Sequence, residues 1–243
     1  MQRVALALAA VASLAVEHAV AAAGKPGEQS AQIVHAPAER TIRLPYLLYV
    51  PSGYDADADR RWPVILYLHG GSLRGDDLER LRTMGLPKRL ENETAFPFIV
   101  AAPLCPEGEI WTDTDALSRL LDEVISQTRA DTRRVYVVGH SMGGRGALYA
   151  AYKMPQRFAA VVALSPVSPV TAWAKQLKDL PLWLIHGEKD SAVPIADSDE
   201  LSAAIEKAGG AKLRYTRLPD RDHFILDLFD KNEVFDWLLE HSG

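Results

Sequence analysis

The 243-residue chain has a single cysteine, Cys105, so no intramolecular disulfide can form and the fold must be held by its core. It has no excess of basic charge. Its 27 Lys and Arg stand against 32 Asp and Glu, net charge -5, and no long basic run appears, which removes the electrostatic footprint that nucleic acid requires. No cluster of His, Cys and carboxylates has metal-ligand spacing, and no glycine-rich phosphate loop is present, so neither metal nor cofactor is expected. Internal repeats, low-complexity tracts and a mid-chain linker are missing too, which leaves one domain. With 48% hydrophobic and 24% charged residues, Gly 16 and Pro 15, disorder, collagen and coiled coil are excluded.

One apolar run is conspicuous, Val4 to Val16, but Glu17 and His18 interrupt it and it falls short of the ~20 residues a spanning helix needs. Arg3 precedes it and Ala21-Ala22-Ala23 follow. This is the layout of a cleaved secretory signal over residues 1–23, which predicts a secreted or periplasmic protein with no stable membrane insertion after cleavage. Residues 24–39 are small, polar and Pro-bearing and read as a flexible lead-in, so the folded domain is expected over 40–243. No pattern in the chain points to an oligomeric state.

From Arg40 onward, apolar runs alternate with amphipathic stretches. Tyr46 to Val50, Val64 to Leu68, Phe98 to Ala102, Val135 to Val138, Val161 to Leu164, Leu182 to Ile185 and Leu213 to Leu218 read as strands. Most are short, continuous and rich in β-branched residues, as parallel strands covered on both faces are; the last alternates and reads as an edge. Between Asp115 and Thr128, the residues Leu117, Leu120, Leu121, Val124 and Ile125 fall on one helical face. Gly146 to Lys153, Ser198 to Ala208 and Asn232 to His241 fit helices less strictly. The fold class is α/β, a doubly wound, mostly parallel sheet with helices on both faces and a short cap.

Ligands in such a sheet collect at the carboxyl ends of the strands. After Val135 to Val138 comes Gly139-His140-Ser141-Met142-Gly143, a Gly-x-Ser-x-Gly run between strand and helix. Glycine is needed on both sides because the turn is too tight for side chains there. The turn lifts the Ser141 hydroxyl clear of the sheet and sets the Met142 N–H at a helix N-terminus, where it can meet an oxyanion. A serine nucleophile needs a base, and the base an orienting acid. Leu182 to Ile185 leads into Asp190, and Leu213 to Leu218 leads into His223, both on loops at strand ends and in the order Ser, Asp, His. Glu188 is the nearest rival acid, with Asp197 and Asp199 more distant; Asp222 borders the base. His69, His140 and His186 sit at strand ends beside glycine, where packing or hydrogen bonding to backbone is the default. The loop His69-Gly70-Gly71-Ser72 offers a second oxyanion amide, Gly71 first and Ser72 as runner-up. Ser72, His140 and Trp111 are candidate substrate-binding residues; Trp111 either walls the acyl or alcohol pocket or packs in the core. Cys105 reads as a small buried residue.

The segments HGG at 69–71, GHSMGG at 139–144, HGEKDSAVP at 186–194 and PDRDHF at 219–224 resemble the α/β-hydrolase superfamily. More narrowly, the chain is similar to compact secreted esterases grouped with dienelactone hydrolases, phospholipase/carboxylesterases and prolyl-oligopeptidase-like domains. The resemblance runs from about residue 40 to the end. It implies Ser141 as nucleophile, Asp190 as acid, His223 as base and the Gly71 and Met142 amides as oxyanion donors. It also implies a small-molecule or polymer-attached ester as substrate and cleavage by an acyl-enzyme route. Amide cleavage of the prolyl-oligopeptidase kind is a second reading, and an inactive binding protein on the same fold a third. One departure is local: such relatives commonly carry Gly-His at the base, where this chain has Asp222-His223 followed by Phe224-Ile225-Leu226.

Overall fold

In a computed structural model that describes residues 42–93 and 95–243, the seven apolar runs pair into one sheet. The strands are β1 (Tyr46–Tyr49), β2 (Trp62–Leu68), β3 (Ile99–Pro103), β4 (Ala130–His140), β5 (Ala160–Leu164), β6 (Leu182–Gly187) and β7 (Leu213–Leu218). Their order is β1-β3-β2-β4-β5-β6-β7. Only β1 runs antiparallel, against β3, so the mostly parallel sheet expected from the apolar runs is present. β7 is an edge strand, as its alternation requires, and β1 is the other edge. The signal segment 1–23 and the lead-in 24–39 lie outside the described residues.

The helices are α1 (Gly85–Leu90), α2 (Thr114–Gln127), α3 (Met142–Lys153), α4 (Ala174–Leu177), α5 (Ile195–Lys207) and α6 (Glu233–Leu239). Alternation along a strand sends neighbouring side chains to opposite faces, and β2 shows the consequence. Val64, Leu66 and Leu68 join one core with Leu117, Leu120, Leu121 and Val124 of α2, Leu148 of α3 and Leu201 and Ile205 of α5. Ile65 and Tyr67 join the other with Leu86 of α1 and Val234, Phe235 and Leu238 of α6. Burial on both faces is why these strands carry continuous apolar runs. The α2 stripe is the one read from its spacing, and Asp113 caps the helix by accepting from the Ala116 N–H at 3.1 Å.

Several boundaries differ from the sequence reading. β4 begins at Ala130, five residues before the apolar run, because its polar start still pairs with Trp62. α3 starts at Met142 rather than Gly146; its first five residues hold three glycines, which hide helical periodicity. α5 starts three residues early, and α6 is trimmed to Glu233–Leu239. α1 was not anticipated, since six residues carry too little periodicity to show. Between β5 and β6, residues 165–181 form only a 3-10 turn (Thr171–Trp173) and α4, so the cap is short. Among the described residues no helix is long and apolar enough to cross a membrane.

Candidate active site

The carboxyl ends of β2, β4, β6 and β7 bring four loops together. At the end of β4, Ser141 adopts φ 57 and ψ -119, a strained conformation for a residue with a Cβ, of a kind that costs on the order of 1–3 kcal/mol. The surrounding structure holds it there. Ser141 N–H donates to the Leu164 carbonyl at 2.8 Å, and its own carbonyl accepts from Arg145 and Val167. A Cβ on Gly139 would strike the Gly143 carbonyl, and one on Gly143 would strike the Leu68 carbonyl. Both glycines are therefore steric requirements of the turn.

The Ser141 Oγ lies 2.9 Å from Nε2 of His223, and Nδ1 of His223 lies 2.7 Å from Oδ2 of Asp190. The carboxylate accepts, so Nδ1 carries the proton and Nε2 is left to accept from the hydroxyl. The Asp190 side chain is fully buried. Its Oδ1 accepts from the Ala192 and Val193 N–H groups at 2.9 and 2.8 Å. Burial opposes its ionisation, but the Val193 N–H and the His223 imidazole outweigh it and hold the carboxyl below its ordinary range. The rival Glu188 turns outward to pair with Arg217 at 2.9 Å, and Asp199 pairs with the same guanidinium at 2.8 Å. The Asp190 and His223 loops are tied by Lys189 N–H to the Arg221 carbonyl, 2.9 Å, across Gly187, where a Cβ would strike that carbonyl.

His140 is buried, and its Nε2 lies 2.8 Å from the His223 carbonyl. A carbonyl can only accept, so His140 donates and braces the His223 loop against the turn at Ser141. Burial pushes its pKa down to about 4, so it stays neutral. It also lines the cavity beside Ser141, with Nε2 taken up by this brace.

On the opposite side, the β2 end presents Gly70 and Gly71. A Cβ on Gly70 would sit 3.6 Å from the Cβ of Ser141, so this backbone runs alongside the elbow. Buried His69 accepts from the Cys105 N–H at Nε2, 3.0 Å, which leaves the proton on Nδ1 to donate to the Gly70 carbonyl at 2.7 Å. In a trans peptide the N–H points away from the carbonyl, so this bond fixes the orientation of the Gly71 N–H. That N–H opens the 3-10 turn Gly71–Leu73, and the Met142 N–H opens α3, so neither has an acceptor within its own helix. Burial lowers the His69 pKa to about 4 and keeps the imidazole neutral.

A cavity of about 170 Å³ lies against Ser141 and His223. Gly70, Gly71 and Ser72 form one side, Tyr67, Leu73 and Met84 an apolar wall, and Phe224 and Leu226 the other lip, with Phe224 63% exposed.

The model of the family described as "Putative esterase" matches residues 41–217. The chain belongs to that family. Among curated relatives, it is 43% identical over 61 residues to esterase LipQ of Mycobacterium tuberculosis, a match covering 25% of this chain and 13% of that protein. The chain spans less than half the length of curated relatives it matches. Among solved structures, a thermostable esterase superposes with a TM-score of 0.69 at 25% identity, covering 83% of this chain and 60% of that one. S-formylglutathione hydrolase from Agrobacterium tumefaciens superposes with a TM-score of 0.62 at 20% identity, covering 82% and 90%. The α/β-hydrolase fold expected from the motifs is thus present.

In this esterase-family chain, the structure corrects the role of Trp111 as a pocket wall. The indole is buried behind the loop at 69–72, its Nε1–H donates to the His69 carbonyl at 2.9 Å, and Gly146 leaves room for its ring. An indole N–H out of water needs an acceptor, and the end of β2 supplies it. Cys105 is buried, and burial pushes its thiol up to about 11, which fits a packing role. Met84, Tyr67 and Leu226 line the cavity without having been singled out in the sequence, because no local motif marks an apolar wall.

Proposed function

We propose that this protein is a serine hydrolase that cleaves carboxylic esters through an acyl-enzyme formed on Ser141. The observation that carries the reading is the hydrogen-bonded chain from Ser141 Oγ through His223 to Asp190, at 2.9 and 2.7 Å. His223 Nε2 takes the hydroxyl proton as Oγ attacks the carbonyl carbon, and the imidazolium that forms is stabilised by the ionised Asp190. The Met142 and Gly71 N–H groups receive the oxyanion, a contribution worth roughly 10²–10³ in rate per donor. The leaving alcohol takes the proton from Nε2. Water then attacks the acyl carbon as His223 Nε2 accepts its proton; the Oγ–acyl bond breaks, Nε2 returns the proton to Ser141 Oγ, and the carboxylic acid departs. The signal-like residues 1–23 support an exported enzyme.

The test is labelling with a fluorophosphonate, which should modify Ser141 alone, followed by turnover of a matched ester and amide pair. Labelled protein that cleaves the amide as fast as the ester would overturn ester specificity, and absence of labelling would overturn the nucleophile. The cavity of about 170 Å³ is close to the ~150 Å³ that holds one benzene, so it suits an acyl group of about six non-hydrogen atoms. Across p-nitrophenyl esters, kcat/KM should therefore fall at least tenfold between butanoate and dodecanoate. A rising series would place the acyl chain elsewhere.

The pH dependence follows from the neighbours of the base. His140 and His69, lowered by burial to about 4, remain neutral above pH 5, and His186 is likewise lowered by burial. Asp190, held below its ordinary range, remains ionised. The His223 imidazole must be neutral to accept the serine proton. The profile of kcat/KM between pH 5 and 9 should rise along a limb of one proton and level off. A flat profile with constant substrate binding would refute a histidine base.

A further inference from the structure

The mechanism leaves one buried imidazole unused. His186, the next-to-last residue of β6, has no solvent exposure, and its Nε2 faces two oxygens: Asp190 Oδ2 at 3.2 Å and the Val193 carbonyl at 3.1 Å. Neither can donate, so Nε2 must carry the ring proton. Nδ1 is then an acceptor, and the Ser198 hydroxyl, also fully buried on α5, lies 2.8 Å from it. The Asp190 oxygen that His186 contacts is the same Oδ2 that receives the His223 Nδ1–H at 2.7 Å. With two backbone N–H groups on Oδ1, all four donors that the carboxylate can accommodate are in place.

We infer that His186 is a positioning residue for hydrolysis: held in its Nε2–H form by the two acceptors it faces, with Ser198 donating to Nδ1, it shares Asp190 Oδ2 with His223 and fixes how that carboxylate is presented to the base. The inference rests on the reading of Ser141, His223 and Asp190 given above. Two effects follow from the shared oxygen. The carboxylate cannot rotate about its bond to Cβ without breaking bonds at both oxygens, so Oδ2 stays in line with Nδ1 of His223. The second N–H also draws charge from Oδ2, so the carboxylate stabilises the imidazolium less than an unshared one would. Ser198 acts at one remove. Without its hydroxyl, Nδ1 is left a buried acceptor with no donor, and the polarisation that strengthens the Nε2–H donation to Asp190 is lost.

The charged and titratable groups around this cluster are few. Facing the base are Asp190, His140 from the β4 end, with its ring 4.9 Å from that of His223, and His186 itself. Asp222 is turned to the Phe224 N–H, Arg221 to Asp227, Glu188 to Arg217 and Lys189 to Asp220.

The experiment compares pH profiles of kcat/KM on one short-chain ester for wild type, His186→Leu, His186→Gln and Ser198→Ala. Leucine removes the donor, so the carboxylate favours imidazolium more, and the acid limb should move to higher pH by about half to one unit. The same change should lower kcat about tenfold with KM changed less than threefold. Glutamine, whose amide N–H can reach the Nε2 position, should return the limb toward wild type. Ser198→Ala should move it in the same direction as leucine by a smaller amount, and this variant carries the test if the leucine protein does not fold. Limbs that coincide with wild type in every folded variant, whatever the loss of rate, would reduce His186 to a packing residue and overturn the inference. A wild type with no acid limb and no label on Ser141 would instead remove the active-site reading itself, and this inference with it.

Discussion

Replacing Ser141 with alanine should lower kcat by about 10⁶-fold while leaving a rate ~10³–10⁴ above water, because the nucleophile is lost but the oxyanion donors and the bound geometry stay. The geometry makes the variant informative. Ser141 is held by its backbone, through Leu164, Arg145 and Val167, so deletion of Oγ leaves the turn in place. Alanine must still adopt the same strained φ, so the variant is not relieved of that cost. The side chain removes one hydrogen bond, to His223, and leaves a small space at a partly exposed position, so thermal unfolding should differ little from wild type. Steady-state rates on a short p-nitrophenyl ester, with stability measured in parallel, check both halves. A variant with wild-type turnover would mean that another group attacks, and the assignment of Ser141 would fall.

What could be read from the sequence and what could not divide along a physical line. The elbow is a local requirement. Gly139 and Gly143 are forced by clashes with backbone four residues away or on the adjacent strand, so the motif shows in five consecutive letters. The strands showed because burial on both faces demands continuous apolar runs, and α2 because one face of it packs. The meeting of Ser141, Asp190 and His223 was inferable from their places at strand ends, since the sheet brings those ends together. The roles of the remaining histidines were not. His69, His140 and His186 look alike in sequence, each beside glycine at the end of a strand. What each does depends on partners 36, 83 and 12 positions away: Cys105, the His223 carbonyl and Ser198. Trp111 was ambiguous for the same reason. Its side of the 69–72 loop is set by a carbonyl 42 residues earlier and by Gly146 on α3, neither of which its own neighbours reveal. Helix starts at glycine-rich turns were missed because propensity there yields to the tertiary demand for a tight bend.

Asparagine at Asp190 should lower kcat by about 10⁴-fold, the size of the effect when a triad histidine is held in the wrong tautomer. The hydrogen bonds around the side chain decide how asparagine sits. The Ala192 and Val193 N–H groups both point at the Oδ1 position, and they need an acceptor, so the amide oxygen must take that place. The amide NH₂ is thereby turned toward the position of Oδ2, where Nδ1 of His223 at 2.7 Å and Nε2 of His186 at 3.2 Å both present protons. Donor would face donor twice. His223 relieves the conflict by moving its proton to Nε2, where it faces Ser141 Oγ and can no longer accept from it, so the nucleophile loses its base. Glu188→Gln is the control two residues away. That side chain is about a third exposed and pairs with Arg217, itself nearly half exposed, a kind of contact worth no more than ~1 kcal/mol. Its kcat should therefore stay within about twofold of wild type. The measurement is kcat for both variants at a pH above the acid limb, where the wild-type base is neutral and any loss reports tautomer and orientation rather than titration. If Glu188→Gln proves the damaged variant and Asp190→Asn the active one, the acid is Glu188, and the hydrogen bonds drawn here to Asp190 do not describe the working enzyme.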